Sequence, residues 1–377
     1  MEYKKLGDIA TYINGYPFKP EDRGECGLPI IRIQDLTGNT YDLGYYDGKY
    51  PERIEINNGD ILISWSASLG VYVWNRGKAL LNQHIFKVVF DKVEINKRYF
   101  VYAVQFKLKE MEAKTHGATM KHIVKKDFDS TLIPYPSLKE QSRIAETIDS
   151  IAKTINMRQK ELQKLDDLVK ARFVELFGDP LIESGRYPKV PLGGLTEVGS
   201  SKRIFEKEYV SEGVPFYRTK EIVELSKGNR ITTELFITKE RYDEIRSEYG
   251  VPQKGDLLIS AVGTIGVIWI VDGKNDFYYK DGNLLRVSAT ERFVPEYLKH
   301  LLEALIGAYK SEMSSGTAYA ALTISALKEM MVYDVPYAKQ KQFAAFVTQI
   351  DKSKAAIQKA LDEAQLLFDS LMQQYFS

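Results

Sequence analysis

The sequence predicts an α+β protein made of two tandem, similar α/β domains, each followed by one long helix. A segment of roughly 190 residues is written twice, which indicates a duplicated unit. Each copy ends in a stretch without glycine or proline, whose apolar residues recur at steps of three and four. We expect these two helices to pair as an antiparallel intramolecular coiled coil with pseudo-twofold symmetry.

The pattern divides the chain into four segments. The first domain covers residues 1–138, and its long helix covers residues 139–179. The second domain covers residues 180–337, and its long helix covers residues 338–377. Gly178, with a proline two positions later, is a typical end for the first helix.

Each long helix would form a rod of roughly 55–60 Å at about 1.5 Å per residue, so it must project or find a partner. Matching apolar stripes favour pairing with each other, although packing on two separate cores remains an alternative. The predicted seam consists of Ile144, Ile148, Ile151, Ile155, Leu162, Leu165 and Val169 in the first helix, and Phe343, Val347, Ile350, Ile357, Leu361, Phe368 and Leu371 in the second.

The duplication is visible in short motifs that keep their order. Residues 27–32 (GLPIIR) match residues 213–218 (GVPFYR), and residues 59–64 (GDILIS) match residues 255–260 (GDLLIS). The connecting segments diverge in length and composition. Loops on a rigid scaffold commonly carry recognition, so two such platforms with different loops are suited to reading two different targets.

Within each copy, short β-branched and aromatic runs precede a predicted helix. The first copy has predicted strands at 29–33, 60–64, 71–74 and 85–90 and a helix at 97–111. The second copy has predicted strands at 215–218, 256–260, 267–271 and 284–287 and a helix at 295–312.

Composition restricts the class of protein. The chain has 377 residues and a net charge of +1, so any surface for nucleic acid must be local or be supplemented by a partner. The single cysteine, Cys26, excludes an internal disulfide and a cysteine-built zinc site. With no apolar stretch of membrane-spanning length, we expect a soluble cytoplasmic protein without a membrane partner.

Catalytic signatures are missing from the sequence. It has no P-loop, no G-x-G-x-x-G after a strand, no G-x-S-x-G elbow and no H-E-x-x-H. The four histidines lack the helical spacing of a metal site. We therefore expect a chain with no catalytic residues, no metal and no cofactor of its own.

One candidate surface for nucleic acid follows the Gly-Asp strand in each copy. Small hydroxyl residues and glycines let backbone N–H groups approach phosphates. A tight β-hairpin with polar turn residues is the alternative interpretation. The candidates are Ser64, Trp65, Ser66 and Ser68 in the first copy, and Ser260 and Thr264 in the second.

Further candidates lie in three other places. A lysine- and histidine-rich segment follows the first domain helix, and could contact phosphates or be a solvated loop. A short run before the last strand holds amides and a lysine that can read adenine and guanine, or cap turns. Shared arginines are either phosphate contacts or internal ion pairs. The residues are Lys114, His116, Lys121 and His122, with Ser315, Thr317 and Tyr319 as counterparts; Asn82, Gln83, His84, Lys280 and Asn283; and Arg32, Arg218 and Lys220.

These features resemble the specificity subunit of type I restriction–modification systems, over essentially the whole chain. The resemblance rests on the tandem layout and on residues 6–8 (LGD), 29–32 (PIIR), 59–64 (GDILIS), 82–85 (NQHI) and 136–141 (PSLKEQ). Each motif is weak, but their order and repetition are specific. The second copy has Lys-Asp-Gly-Asn in place of Asn-Gln-His, which puts a shared role of that run in doubt.

The resemblance implies that each domain is a target recognition domain reading one half of a bipartite site in double-stranded DNA. It implies that the coiled coil sets the unread spacer and docks two modification subunits, which methylate adenine N6 with S-adenosylmethionine. Restriction subunits that use ATP and Mg can join them. A non-enzymatic coiled-coil scaffold without sequence-specific DNA binding is the alternative, and a self-contained methyltransferase is a third class that the missing motifs disfavour.

Overall fold

The computed structural model describes residues 2–40, 42–114, 123–182, 186–313 and 321–377, without the side chains of Lys114 and Met313. Contacts divide the chain into two compact units. The first unit consists of Met1–Gln159 and Gln358–Ser377, and the second of Lys160–Ile357. Each unit therefore contains one predicted domain and parts of both long helices, whereas the four-segment division remains a prediction.

The elements of the first domain and the first long helix follow in chain order. They are β1 (Tyr3–Lys5), α1 (Leu6–Ile9), β2 (Thr11–Asn14), β3 (Leu28–Ile31), α2 (Ile33–Leu36), β4 (Tyr45–Tyr46), β5 (Glu55–Ile56), β6 (Ile61–Ser64), β7 (Gly70–Val73), β8 (Ala79–Leu81), β9 (Ile85–Val89), α3 (Lys97–Lys114), α4 (Lys125–Ser130), β10 (Leu132–Pro134) and α5 (Leu138–Phe177).

The second half of the chain repeats this order, with a short 3₁₀ helix in place of α1 and an α-helix in place of β5. It contains β11 (Lys189–Pro191), β12 (Val198–Gly199), β13 (Val214–Tyr217), α6 (Thr219–Ser226), β14 (Phe236–Ile237), α7 (Lys239–Glu248), β15 (Leu257–Ser260), β16 (Ile268–Ile270), β17 (Tyr278–Tyr279), β18 (Leu284–Val287), α8 (Pro295–Met313), α9 (Ile324–Glu329), β19 (Met331–Tyr333) and α10 (Tyr337–Phe376).

Sheet topology confirms the duplication. The first unit has an antiparallel sheet β2-β9-β6-β7, matched in the second unit by β12-β18-β15-β16. It has a second sheet β4-β3-β8-β5, matched by β14-β13-β17, and in both the pairing of the middle strands, β3 with β8 and β13 with β17, is parallel. A two-stranded pair, β1 with β10 or β11 with β19, precedes each long helix.

The central strands β6 and β15 are buried along their whole length. Side chains alternate between the two faces of a strand, and here each face covers a different core. Leu257 and Ile259 pack in the core that includes the long helices, whereas Leu258 packs in the core against β13 and β17. In β6, Ile61 and Ile63 face the helix-side core and Leu62 the other. Both strands therefore read as continuous apolar runs.

The long helices run antiparallel within each unit. In the second unit, Phe173 near the end of α5 packs on Phe343 near the start of α10, with ring centroids 5.4 Å apart. Further along, Asp166 of α5 and Lys354 of α10 form an ion pair of 2.6 Å. In the first unit, the start of α5 and the end of α10 share the helix-side core.

None of the predicted seam residues is exposed, and their pairing along the whole seam stays a prediction. The prediction missed four aromatic or methionine side chains that are also buried. These are Phe173 and Phe177 of α5 and Met372 and Phe376 of α10. Helix α5 ends where expected, because Gly178 adopts a left-handed φ of 91° directly after it.

Two strand predictions extend too far. Residues 29–33 and 215–218 were expected as strands, but β3 ends at Ile31 and β13 at Tyr217. The following arginine caps a helix in each unit, and its N-terminal capping stops the strand. The short helices α1, α2, α4, α6, α7 and α9 are not predicted from the sequence. The other predicted strands and helices are found within a few residues of their expected bounds.

A buried glutamine joins each domain helix to a long helix. The Gln141 side chain accepts from the N–H of Asn96 (2.9 Å) and donates to the carbonyl of Pro136 (2.9 Å). Gln340 accepts from the N–H of Val294 (2.8 Å), and donates to two carbonyls, at 3.0 and 2.8 Å. Asn96 and Val294 each directly precede a domain helix, so one amide fixes the starts of two helices against each other.

We expect Gln340→Ala to lower the free energy of unfolding by roughly 2–3 kcal/mol, because it leaves a buried N–H and two carbonyls without partners. Gln342→Ala is the matched control, since Gln342 is exposed on the same helix and should change stability by less than about 0.5 kcal/mol. Urea unfolding followed by circular dichroism measures both. Equal small effects of the two substitutions would contradict the role assigned to Gln340.

Candidate nucleic-acid interface

The hairpin after each central strand is closed by a buried serine. Ser64 Oγ donates to the carbonyl of Ser68, and Ser260 Oγ donates to the carbonyl of Thr264. Both serines are fully buried, and Ser66 is 7% exposed. The hydroxyls of Ser64 and Ser260 therefore close a tight hairpin, which is the alternative interpretation of this motif. The exposed hairpin tips include Ser68 and Thr264.

The chain returns to these hairpins after the domain helices. The N–H of Ile123 donates to the carbonyl of Trp65, and the N–H of Leu322 donates to that of Ala261, each at 2.9 Å. Both residues are close behind the segments in which further candidates were predicted. The side chain of Lys114 and the residues His116, Lys121, His122, Ser315, Thr317 and Tyr319 lie outside the described residues.

The short connections before β9 and β18 are anchored by backbone hydrogen bonds. The N–H of Asn82 donates to the carbonyl of Ile31 (3.1 Å), and the N–H of Lys280 donates to that of Tyr217 (2.9 Å). Asn82 Oδ1 accepts from the N–H of Gln83 (2.8 Å), so this amide caps the turn. These bonds bring the connections beside the arginines that follow β3 and β13.

Each shared arginine begins a helix and pairs with a buried carboxylate three residues later. The N–H groups of Arg32 and Arg218 donate to Asp35 and Glu221, each at 2.8 Å. Their guanidinium groups lie 3.4 and 3.2 Å from the same carboxylates, which are only 2% and 1% exposed. Both arginines therefore form internal ion pairs, and Arg218 keeps 35% of its side chain exposed against 12% for Arg32.

A cleft in the second unit collects four of the predicted residues. Its volume is about 360 Å³, and three of its lining residues are cationic. Within the described parts of the chain, Arg218 Nε is buried without a hydrogen-bond partner, so this N–H donor of the guanidinium is unused. The predicted residues in the cleft are Arg218, Lys220, Lys280 and Asn283, and Glu206, Tyr209, Thr219 and Leu235 complete its walls.

A neighbouring cleft of about 280 Å³ contains residues that sequence reasoning missed. The Ser200 hydroxyl accepts from the N–H of Gly282 (3.1 Å), so this strip of chain lies beside the connection that carries Lys280. The Lys202 ammonium lies 4.7 Å from the ring centroid of Tyr249. The run Ser-Ser-Lys-Arg at 200–203 was the available signal, because it combines hydroxyls with cations.

Two groups beside this second cleft, the Arg203 guanidinium and the Tyr278 phenol, have pKa values above their ordinary values. Arg203 Nε donates to Asp281 (2.8 Å), and this hydrogen bond raises the pKa of the guanidinium above its ordinary value. Burial raises the pKa of Tyr278, although the N–H of Lys202, which donates to its hydroxyl, opposes the shift. The arginine therefore stays cationic and the phenol stays protonated at neutral pH.

Neither a metal-binding cluster nor a membrane-spanning helix is found among the described residues. Across the described residues, no group of three or more His, Cys, Asp or Glu side chains could hold a metal ion. A helix long and apolar enough to cross a membrane is likewise missing from the part of the chain that the structure describes.

Comparison with known families places these two repeated domains in a class of DNA specificity domains. The type I restriction modification DNA specificity domain matches residues 1–167 and 186–365. The chain belongs to this family, as the resemblance in its motifs predicts.

Known proteins support this assignment over nearly the full length. The chain is similar to the type I restriction enzyme EcoBI specificity subunit of Escherichia coli, with 25% identity over 98% of this chain and 83% of the relative. A putative type I restriction enzyme specificity subunit of Haemophilus influenzae is 26% identical over 96% and 90%. The solved S subunit from M. genitalium shares the fold, with a TM-score of 0.55, 16% identity and coverage of 100% and 96%.

We expect Lys220→Ala to weaken binding of duplex DNA at all sequences and to reduce the slope of log K against log salt by about 1, because it removes one phosphate contact. Lys220 is 59% exposed at the cleft, so its loss should leave stability unchanged. Lys359→Ala removes the same charge from an 81% exposed site on a long helix. If both variants change the salt slope equally, the cleft is not a DNA contact.

Proposed function

We propose that this chain is the DNA-reading subunit of a type I restriction–modification complex, in which each domain reads one half of a bipartite double-stranded site. Membership of the DNA specificity family and similarity to specificity subunits support the role. The chain supplies recognition and no catalytic residue. Its loops, rather than its repeated strands, carry the difference between the two half-sites.

The observation that carries the proposal is a shared backbone position with different side chains. Asn82 and Lys280 each follow the last residue of a matching strand and make the same backbone hydrogen bond, at 3.1 and 2.9 Å. Asparagine can pair with adenine through two hydrogen bonds, and lysine can contact the O6 and N7 acceptors of guanine. One scaffold thus presents two different base-reading groups.

The long helices are suited to setting the spacer between the half-sites. Helices α5 and α10 have 40 residues each, which corresponds to about 60 Å at 1.5 Å per residue. Each helix contributes residues to both units. In the proposed complex they set the number of bases between the half-sites and leave those bases unread.

The chemistry comes from partners in this proposal. Two modification subunits dock on the long helices and methylate adenine N6 from S-adenosylmethionine, and restriction subunits that use ATP and Mg complete a nuclease complex. A net charge of +1 fits a reader whose partners supply much of the phosphate contact. The complex acts in the cytoplasm, where it meets the DNA.

We expect the chain, expressed with its modification subunits, to direct adenine methylation to one split motif. Asn82→Ala should change the methylated motif in one half-site and Lys280→Ala in the other, each by about 5- to 100-fold in preference, because each removes one base-reading group. Single-molecule sequencing of genomic DNA measures the methylated motif of the unsubstituted chain and of each variant.

Cells with the modification subunits alone provide the control. A motif that persists without this chain would refute the DNA-reading role, and a chain that binds its partners without any motif would favour the scaffold alternative. If either substitution changed both half-sites equally, the assignment of one half-site to each domain would be wrong.

We expect Ile350→Asp to abolish methylation of the whole split motif. Ile350 is 9% exposed in the core shared with α5, and an unpaired charge buried there costs roughly 3–5 kcal/mol. Gln349→Asp is the matched control, since it adds the same charge to an exposed site one residue earlier. Methylation sequencing and thermal unfolding measure both variants. Relaxed reading of a single half-site in Ile350→Asp would contradict a spacer common to both halves.

A further inference from the structure

Two residues of the first unit occupy a backbone conformation that L side chains rarely adopt. Among the described residues, the non-glycine residues with positive φ are Ala67 (58°) and His84 (72°). Both belong to the candidate interface, Ala67 at the hairpin tip and His84 in the connection before β9. Such strain persists only where surrounding structure imposes it, and it clusters at functional sites.

The second unit uses glycine for the same turns. Gly263, with φ of 71°, takes the place of Ala67 in the matching hairpin. The connection before β18 is one residue longer than that before β9, and its left-handed residue is Gly282, with φ of 70°. Glycine satisfies both conformations without strain. The backbone alone therefore gives no reason for a histidine in the first unit.

The His84 side chain rests on an aromatic column that rises from the core. Its ring packs edge-on against Trp65, with centroids 4.9 Å apart. Trp65 stacks on Phe86 at 5.5 Å, and Phe86 contacts the fully buried Phe128 at 5.7 Å. The imidazole is partly exposed at the end of this column. Its orientation is therefore set by packing rather than by a mobile loop.

Within the described residues, this column has no counterpart in the second unit. By strand register, Ala261 of the second unit occupies the position that Trp65 has in the first unit, and Leu285 occupies the position of Phe86. Neither side chain can support a ring in the same way. Since the two scaffolds otherwise repeat, a feature present in one unit alone points to a task that only one half-site requires.

We propose that His84 makes a hydrogen bond to the DNA half-site read by the first unit, and that its strained backbone is retained for this contact. The inference rests on the proposed function. Imidazole can donate to a base or phosphate acceptor and, in its neutral form, can also accept. In the part of the chain described, Nδ1 of His84 is buried without a hydrogen-bond partner, so packing and not bonding holds the ring.

Substitution by glycine separates strain from function. His84→Gly keeps the turn and removes the ring, whereas Ala67→Gly relieves the same kind of strain at a position where the second unit has glycine. Ala67→Gly should unfold at the same temperature as the unsubstituted chain or higher, and His84→Gly, which also loses the packing of its ring on Trp65, should stay folded. His84→Gly should reduce methylation, or relax one base, by about tenfold in one half-site only, and Ala67→Gly reports on the backbone strain alone, through its unfolding temperature.

The assay is single-molecule methylation sequencing of cells that express each variant with the modification subunits, with thermal unfolding of the purified chains. His84→Asn, which also tolerates this conformation, tests the contact if His84→Gly fails to fold. An unchanged motif in a folded His84 variant, or equal changes in both half-sites, would overturn the inference. A split motif directed by the unsubstituted chain keeps the proposed function intact in either case, and its absence would refute that function instead.

Discussion

The joint between each domain and its long helix depends on one buried amide. Gln141 and Gln340 are fully buried, and each satisfies the N–H before a domain helix and a carbonyl before a long helix. A buried amide without partners is costly, so the two helices must start in register. These hydrogen bonds fix the domain helix and the long helix against each other in both units, and the matching strands, hairpins and connections belong to the domains fixed in this way.

Much of the fold follows from periodicity in the sequence. The long helices were predictable because steps of three and four continue without glycine or proline, and the central strands because both faces are apolar. The helices α2 and α6 were not predicted, because their start depends on an arginine N–H that pairs with a carboxylate three residues later. Helix α7 carried a readable signal in Thr238, whose hydroxyl accepts from the N–H of Arg241 (3.1 Å).

The candidate site was less predictable than the fold. Arg218, Lys220, Lys280 and Asn283 were chosen from motif positions, and the structure gathers them in one cleft. The hydroxyls of Ser64 and Ser260 predict phosphate contacts, yet both side chains are buried and close hairpins. Residue type alone could not reveal this, because a serine reads the same whether its hydroxyl faces solvent or a carbonyl across a turn.

The connections that carry Asn82 and Lys280 are attached through main-chain atoms. A hydrogen bond from a backbone N–H is indifferent to the side chain above it, so a substitution there leaves the attachment unaltered. The connections also differ in length by one residue between the units without disturbing the strands on either side. Such an attachment lets the chain acquire new preferences through single substitutions or insertions, and drift in sequence at these positions carries little penalty for folding.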